Sequence, residues 1–221
     1  LDLKNMNRRD FSAQIIGLGL GTAGLAAALP AQAQGAPVEG THYVKLGQPA
    51  PVSAPPGKIE VIEFFWYGCP HCNAFEPALD AWQKKLPADI AFRRVPVAFR
   101  EIYASHQQIY YALEALGKVE AMHRRVFYAI HNDRQRLEKP EEIAALMEKN
   151  GIDKAKFLEV YNSFSVQTKA KQATRLAEAY KIDGVPAMGI NGRYFTSGSL
   201  AGSPEKALLV SEYLIATIRK G

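Results

Sequence analysis

Hydrophobic positions cluster most densely in Ile59-Glu60-Val61-Ile62-Glu63-Phe64-Phe65-Trp66, a β-branched and aromatic run that predicts a buried strand. The run stops at Gly68, and Cys69-Pro70-His71-Cys72 follows at once. The period then changes to that of a helix: Phe75, Leu79, Trp82 and Leu86 fall four, three and four residues apart, on one face. Ile90–Val97 predicts a second strand. Together these make a βαβ unit with the cysteine pair at its strand-to-helix turn. Pro77 falls within the helix, where it is expected to kink the backbone and is not a site residue.

Ahead of this unit the chain is rich in Pro, Gly and Ala, with one short strand expected at Tyr43–Leu46. Beyond it, from about residue 101, the period stays helical. Ser105-x-x-Gln108 has the spacing of a capping box, and Gly117 ends that segment. Val119, Met122, Val126 and Ile130 mark the next helical face, and Pro140-Glu141-Glu142 opens a further helix that Asn150-Gly151 closes. Two more helices are expected over Lys154–Tyr161 and Val166–Tyr180. His106, His123 and His131 fall among polar residues of these helices and are expected to face solvent. Strands return at Ala187–Ile190 and Tyr194–Thr196, with Asn191-Gly192 as a hairpin turn between them. A last helix opens at Ser203-Pro204-Glu205 and turns Ala207, Val210, Leu214 and Ile218 inward. The order predicts one α/β domain (residues 34–100 and 174–221) interrupted by a helical insertion (residues 101–173).

Composition adds little: 48% hydrophobic and 22% charged residues are ordinary for a soluble globular chain. The net charge of +5 is mild, and no Lys/Arg run with interleaved aromatics suggests a nucleic-acid partner. Residues 1–33 change the picture. Lys4, Arg8 and Arg9 form a basic head, Ile15 to Leu29 is uncharged and apolar, and Ala31-Gln32-Ala33 supplies a small-x-small cleavage pattern. Met6 stands just ahead of the head, so residues 1–5 are expected to precede the natural start. The apolar run is too short and too rich in Gly and Ala for a transmembrane helix. Arg8-Arg9-Asp10-Phe11 fits a twin-arginine export motif, and an ordinary secretory signal fits as well. Both predict export.

Export gives the two cysteines an oxidising setting. Three positions apart, Cys69 and Cys72 close too small a loop to stabilise the fold appreciably. Exchange chemistry explains them better. It needs a thiolate, and the unpaired N–H groups and macrodipole at a helix N-terminus favour the anion at Cys69. The dipole is worth at most ~2 kcal/mol, roughly one to one and a half pKa units; direct N–H donors and His71 are expected to add to it. Stabilising the thiolate stabilises the reduced form and makes the disulfide a stronger oxidant. Cys72, one helical turn on, is placed to resolve a mixed disulfide, with a more buried and less acidic sulfur. A metal site is the alternative, although the chain has no second cysteine pair and His71 lies between the two sulfurs. For His71 itself the alternative is an exposed turn histidine.

Glu63-Phe64-Phe65, Cys69-Pro70-His71-Cys72 and Gly184-Val185-Pro186-Ala187-Met188, at their long separation, resemble the disulfide-bond protein A (DsbA) family over nearly all of the chain after residue 33. The resemblance implies an α/β thioredoxin-like fold with an inserted helical domain. It implies a periplasmic dithiol oxidase that introduces disulfides into unfolded exported proteins, with no cofactor beyond the Cys69–Cys72 disulfide. An acidic thiol and a strongly oxidising couple are known features of that family, so the direction given for Cys69 is not independent of the resemblance. By residue, the resemblance makes Cys69 the exposed nucleophile and Cys72 the resolving thiol, with Pro70 and His71 tuning the potential. Val185-Pro186 resembles the cis-proline loop that faces the disulfide and binds the substrate backbone. Glu63 resembles a buried acidic residue that handles protons for the resolving cysteine. Its strand neighbours are apolar, so burial there demands a partner or a role, and an edge position open to solvent is the alternative. Arg94 stands where the family often has a lysine partner; an arginine cannot give up its proton, which puts a shared relay in question. Reoxidation is expected from a membrane quinone-linked partner similar to DsbB, and the protein is expected to be a monomer. A disulfide isomerase or reductase, and a thiol-based metal carrier, are the competing functions; isomerases of this class usually add a dimerisation domain, and none is visible ahead of the first strand.

Overall fold

The computed structural model describes residues 35–220, so the expected export signal lies outside the described residues. Five strands, β1 (Val44–Lys45), β2 (Ile59–Phe65), β3 (Ile90–Pro96), β4 (Ala187–Ile190) and β5 (Tyr194–Ser197), form one sheet in the order β1-β5-β4-β2-β3. β2 runs parallel to β3 and antiparallel to β4, with Glu63 beside Arg94 on one side and Met188 on the other. A parallel pair cannot be closed by a hairpin, and α1 (Pro70–Gln83) makes the crossover. Every residue of β2 is buried, as an interior strand covered on both faces must be. That burial excludes the solvent-edge alternative for Glu63.

Strand periodicity sorts β2 between two layers. Ile59 and Val61 pack with Phe75, Leu79, Met188 and Leu214, in the layer of α1 and α8 (Pro204–Arg219). Ile62 and Phe64 pack on the other side with Ile109, Leu113 and Phe127 from the helices between β3 and β4. Those helices are α2 (Ala104–Ala115), α3 (Val119–His131), α4 (Pro140–Lys149), α5 (Lys154–Tyr161) and α6 (Phe164–Ala179); a short α7 (Gly198–Ala201) follows β5. The hairpin between β4 and β5 is the predicted one: Asn191 and Gly192 have φ of 49° and 65°, the positive pair that a two-residue turn of this hand requires. Gly189 lets the sheet close tightly, since a Cβ there would lie 2.7 Å from Tyr180 and 2.9 Å from Phe64.

Two expectations fail. Ser105 does not cap α2, which starts one residue earlier behind a single 3-10 turn at Glu101–Tyr103; its hydroxyl is buried and without a hydrogen-bond partner. His106 and His123 do not face solvent, each being only 4% exposed, and His131 is half-buried. Among the described residues no helix is long and apolar enough to cross a membrane.

Candidate active site

Cys69 is the N-cap of α1. Its backbone is extended, and its sulfur accepts the N–H of Cys72 at 3.4 Å. Pro70 occupies the first helical position, where its fixed φ suits the helix and its missing N–H costs nothing. Gly68 admits the turn because the Trp66 ring lies over it; a Cβ would fall 2.3 Å from that ring. Both cysteines are free thiols. Cys69 keeps only 6% of its surface, less than the exposed nucleophile expected, and Cys72 keeps none. His71 is exposed beside them.

The two thiols differ sharply in acidity. A hydrogen bond from the Cys72 thiol is the largest of the effects that lower Cys69 to about 6; burial opposes it, and the N–H groups of Cys72 and His71 and the charge of His71 add to it. Burial, and then the neighbouring Cys69 sulfur, push Cys72 well above the ordinary thiol range. The first proton lost from the reduced pair therefore leaves Cys69.

The Val185-Pro186 bond is cis, and the Cys69 thiol donates to the Val185 carbonyl at 3.4 Å. An open groove of about 740 Å³ extends from this contact, lined by His71, Val185, Pro186, Phe195, Ser197 and Leu200 among others. Tyr103 packs on Trp66, the ring that lies over Gly68, with ring centroids 4.2 Å apart.

Behind the cysteines lies a buried polar cluster built on Arg94. Its Nε donates to Glu63 at 3.0 Å, while one terminal nitrogen donates to Glu76 at 3.2 Å and to Asp80 at 2.8 Å. The other donates to Gln83 at 3.3 Å. The planar five-donor fork of arginine suits such a convergence, which a lysine could not fill in the same way. The second Glu76 oxygen pairs with His123 Nε2 at 3.0 Å, and His123 Nδ1 pairs with the Tyr67 hydroxyl at 2.9 Å. Burial lowers the His123 imidazole below its ordinary value, against the pull of Glu76. Burial and the Glu76 charge raise Glu63 well above the carboxylate range, against the pull of Arg94. At Glu76 burial also pushes upward, but the bond and the charge of His123, and then the Arg94 charge, outweigh it and leave that carboxyl below its ordinary value. Elsewhere around the turn, His131 Nε2 donates to the Tyr67 carbonyl at 2.8 Å and His106 Nε2 to the Arg136 carbonyl at 2.9 Å. Among the described residues no group of three or more His, Cys, Asp or Glu side chains is arranged to hold a metal ion.

Residues 60–208 match the model of the DSBA-like thioredoxin domain. This chain belongs to the DSBA-like thioredoxin family. It is 49% identical over 177 residues to the thiol:disulfide interchange protein DsbA of Pseudomonas aeruginosa, covering 80% of this chain and 83% of that protein. It is 44% identical over 208 residues to that of Burkholderia cepacia, covering 94% and 96%. A crystal structure of Pseudomonas aeruginosa DsbA superposes with a TM-score of 0.79 at 47% identity, over 82% of this chain and 94% of that one. The DsbA oxidoreductase of Xylella fastidiosa gives 0.78 at 31%, over 84% and 99%. As a DSBA-like thioredoxin protein, the chain is a protein thiol:disulfide oxidoreductase with a thioredoxin-like α/β fold and a helical insertion. Its family works through redox-active cysteines without a separate cofactor.

The structure brings Glu63, Cys69, Pro70, His71, Cys72, Val185 and Pro186 into one neighbourhood. The sequence alone does not single out Glu76, Asp80 or His123. A signal for two of them exists in the helical period: Glu76 is four residues past Cys72, and His123 lies three and four residues before Val126 and Phe127, on the buried stripe of α3.

Proposed function

We propose that this DSBA-like protein oxidises dithiols of unfolded exported proteins in the periplasm, with Cys69 as the exchanging sulfur. A substrate thiolate attacks Cys69 Sγ of the Cys69–Cys72 disulfide; the S–S bond breaks and Cys72 leaves, taking a proton. The substrate's second thiolate then attacks its own sulfur in the mixed disulfide and expels the Cys69 thiolate. The substrate loses two electrons and two protons, and the enzyme disulfide gains the electrons and becomes the dithiol. A membrane quinone-linked oxidase similar to DsbB removes them again. The acidity of Cys69 makes it the better leaving group in the second step, and that asymmetry between the two thiols carries the proposal. Pro70 starts the helix that stabilises the thiolate, and His71 adds its charge from the solvent side. Glu63, protonated in its buried site, serves as the proton donor and acceptor for Cys72. The backbone at Val185-Pro186 aligns an extended substrate segment along the groove. The protein acts as a monomer.

The test is the equilibrium of the pair against glutathione buffers, read by thiol trapping. An oxidising couple is expected; a strongly reducing one would make the protein a reductase. Cys69→Ser is expected to abolish oxidation of a reduced substrate protein, and Cys72→Ser to accumulate mixed disulfides. Activity retained by Cys69→Ser would overturn the mechanism.

A further inference from the structure

We infer that His123 is a positioning residue for the exchange reaction: by donating to Glu76 from the helical block, it keeps the one proton of the buried carboxyl pair on Glu63. The inference rests on Glu63 serving Cys72, as proposed above.

The cluster holds one permanent cation, Arg94, and three carboxyl groups. Asp80 is 39% exposed and keeps contact with water, whereas Glu63 and Glu76 are sealed at 0%. Two ionised carboxylates facing one guanidinium would leave a buried charge uncompensated, so the pair retains a proton. The distribution of donors decides where it resides. Glu76 has a donor on each oxygen, His123 on Oε1 and Arg94 on Oε2. Glu63 has Arg94 on Oε2 alone, and its Oε1 is buried with no hydrogen-bond partner. Hydrogen bonds to the charged form favour ionisation, and a bare buried oxygen favours the neutral acid. Glu76 is therefore the anion and Glu63 the acid, and the deciding difference is the N–H of His123.

That N–H is itself fixed. Nδ1 pairs with the Tyr67 hydroxyl, which holds the ring with Nε2 facing Glu76. Phe65, Tyr110 and Phe127 surround the ring with centroids 5.0 to 6.1 Å away, an apolar cage that disfavours a charged imidazole. The groups facing the pair are Tyr67 from the turn after β2, Arg94 from β3, Cys72 and Asp80 from α1, Tyr110 from α2, and His123 and Arg124 from α3. None but His123 gives Glu76 a second donor. Without it the two carboxyls each hold a single bond from Arg94, and Glu63 is ionised for a larger share of the time.

Three full-length variants separate the possibilities: His123→Phe, His123→Gln and Glu63→Gln. Glutamate carboxyls labelled with carbon-13 report the titrations of Glu63 and Glu76 by NMR, and the pH profile of dithiol oxidation reports their effect on exchange. In His123→Phe the Glu63 midpoint should fall and the Glu76 midpoint rise, changing the ionised fraction of Glu63 about tenfold and moving the profile with it. The Cys69 thiolate titration should stay in place. His123→Gln puts an amide N–H near the position of Nε2 and should restore both midpoints. If His123→Phe does not fold, His123→Asn keeps a partner for Tyr67 but no donor for Glu76, and should shift the carboxyls in the same way. Unchanged carboxyl titrations in a folded variant without the donor would overturn the inference, as would a folded His123→Gln that fails to restore them. A pH profile insensitive to Glu63→Gln would instead defeat the role given to Glu63, while the carboxyl titrations still judge His123.

Discussion

Replacing Cys72 by alanine should raise Cys69 more than replacing His71 does. The Cys72 thiol is the largest of the effects that bring Cys69 down to about 6, whereas the His71 charge is the last and acts from an exposed side chain that water screens. Cys72→Ala removes the thiol donor but keeps both backbone N–H groups. A hydrogen bond to a charged group is worth about 1.5–3 kcal/mol, which is roughly one to two pKa units. Cys69 should therefore move from about 6 to roughly 7–8. At about pH 6 the thiolate fraction would fall from near one half to roughly 1–10%, and alkylation by iodoacetamide would slow about 5- to 50-fold. Cys72→Ser keeps an O–H donor and should recover most of the loss. Far-ultraviolet thiolate absorbance against pH measures each midpoint directly. A Cys69 midpoint left at about 6 in Cys72→Ala, or a larger rise in His71→Ala, would refute this account of the acidity.

Two further outcomes follow from the same geometry. Arg94→Met strips the cluster of its cation and should destabilise the protein by about 3 kcal/mol near neutral pH, less in acid where Glu76 takes up a proton; urea unfolding checks it, and a loss below about 1 kcal/mol would contradict it. The depressed Cys69 stabilises the reduced protein above the unfolded thiol value, and that contribution is lost as pH falls through about 6. The melting temperature of the reduced form, measured against that of the oxidised form, should accordingly climb between about pH 5 and pH 8.5, and a flat difference would exclude the linkage.

The sequence discloses elements more readily than it discloses what a polar residue does within them. β4, α5 and the Asn191-Gly192 turn fall where alternation, periodicity and turn chemistry put them, because local backbone preference and burial agree there. The thiol site is nearly as legible, since a cysteine pair at a strand-to-helix junction carries its own physics. Val185-Pro186 is different: 116 residues separate Val185 from Cys69, and no spacing rule predicts that the carbonyl will meet the sulfur. Only resemblance to a known family brings the two together before the fold is seen. Buried ionisable residues divide along the same line. Glu63 stands out because Val61, Ile62, Phe64 and Phe65 around it are apolar, so a carboxylate there is visibly anomalous. His123 carries the same anomaly, but Arg124 and Arg125 follow it directly and make the local segment look solvated. The helical stripe corrects that impression, for Val119, Met122, Val126 and Phe127 place His123 inside, and His106 precedes Ile109, Tyr110 and Leu113 in the same relation. A histidine on such a stripe brings two ring nitrogens into the core; at His106 Nδ1 is left without a partner, while at His123 each nitrogen has one. At His123 those partners are Tyr67, two residues before the reactive cysteine, and Glu76, one turn beyond the resolving one. The inserted helices are thereby joined through one imidazole to both ends of the cysteine motif, a connection that polarity along the chain conceals and periodicity around the helix reveals.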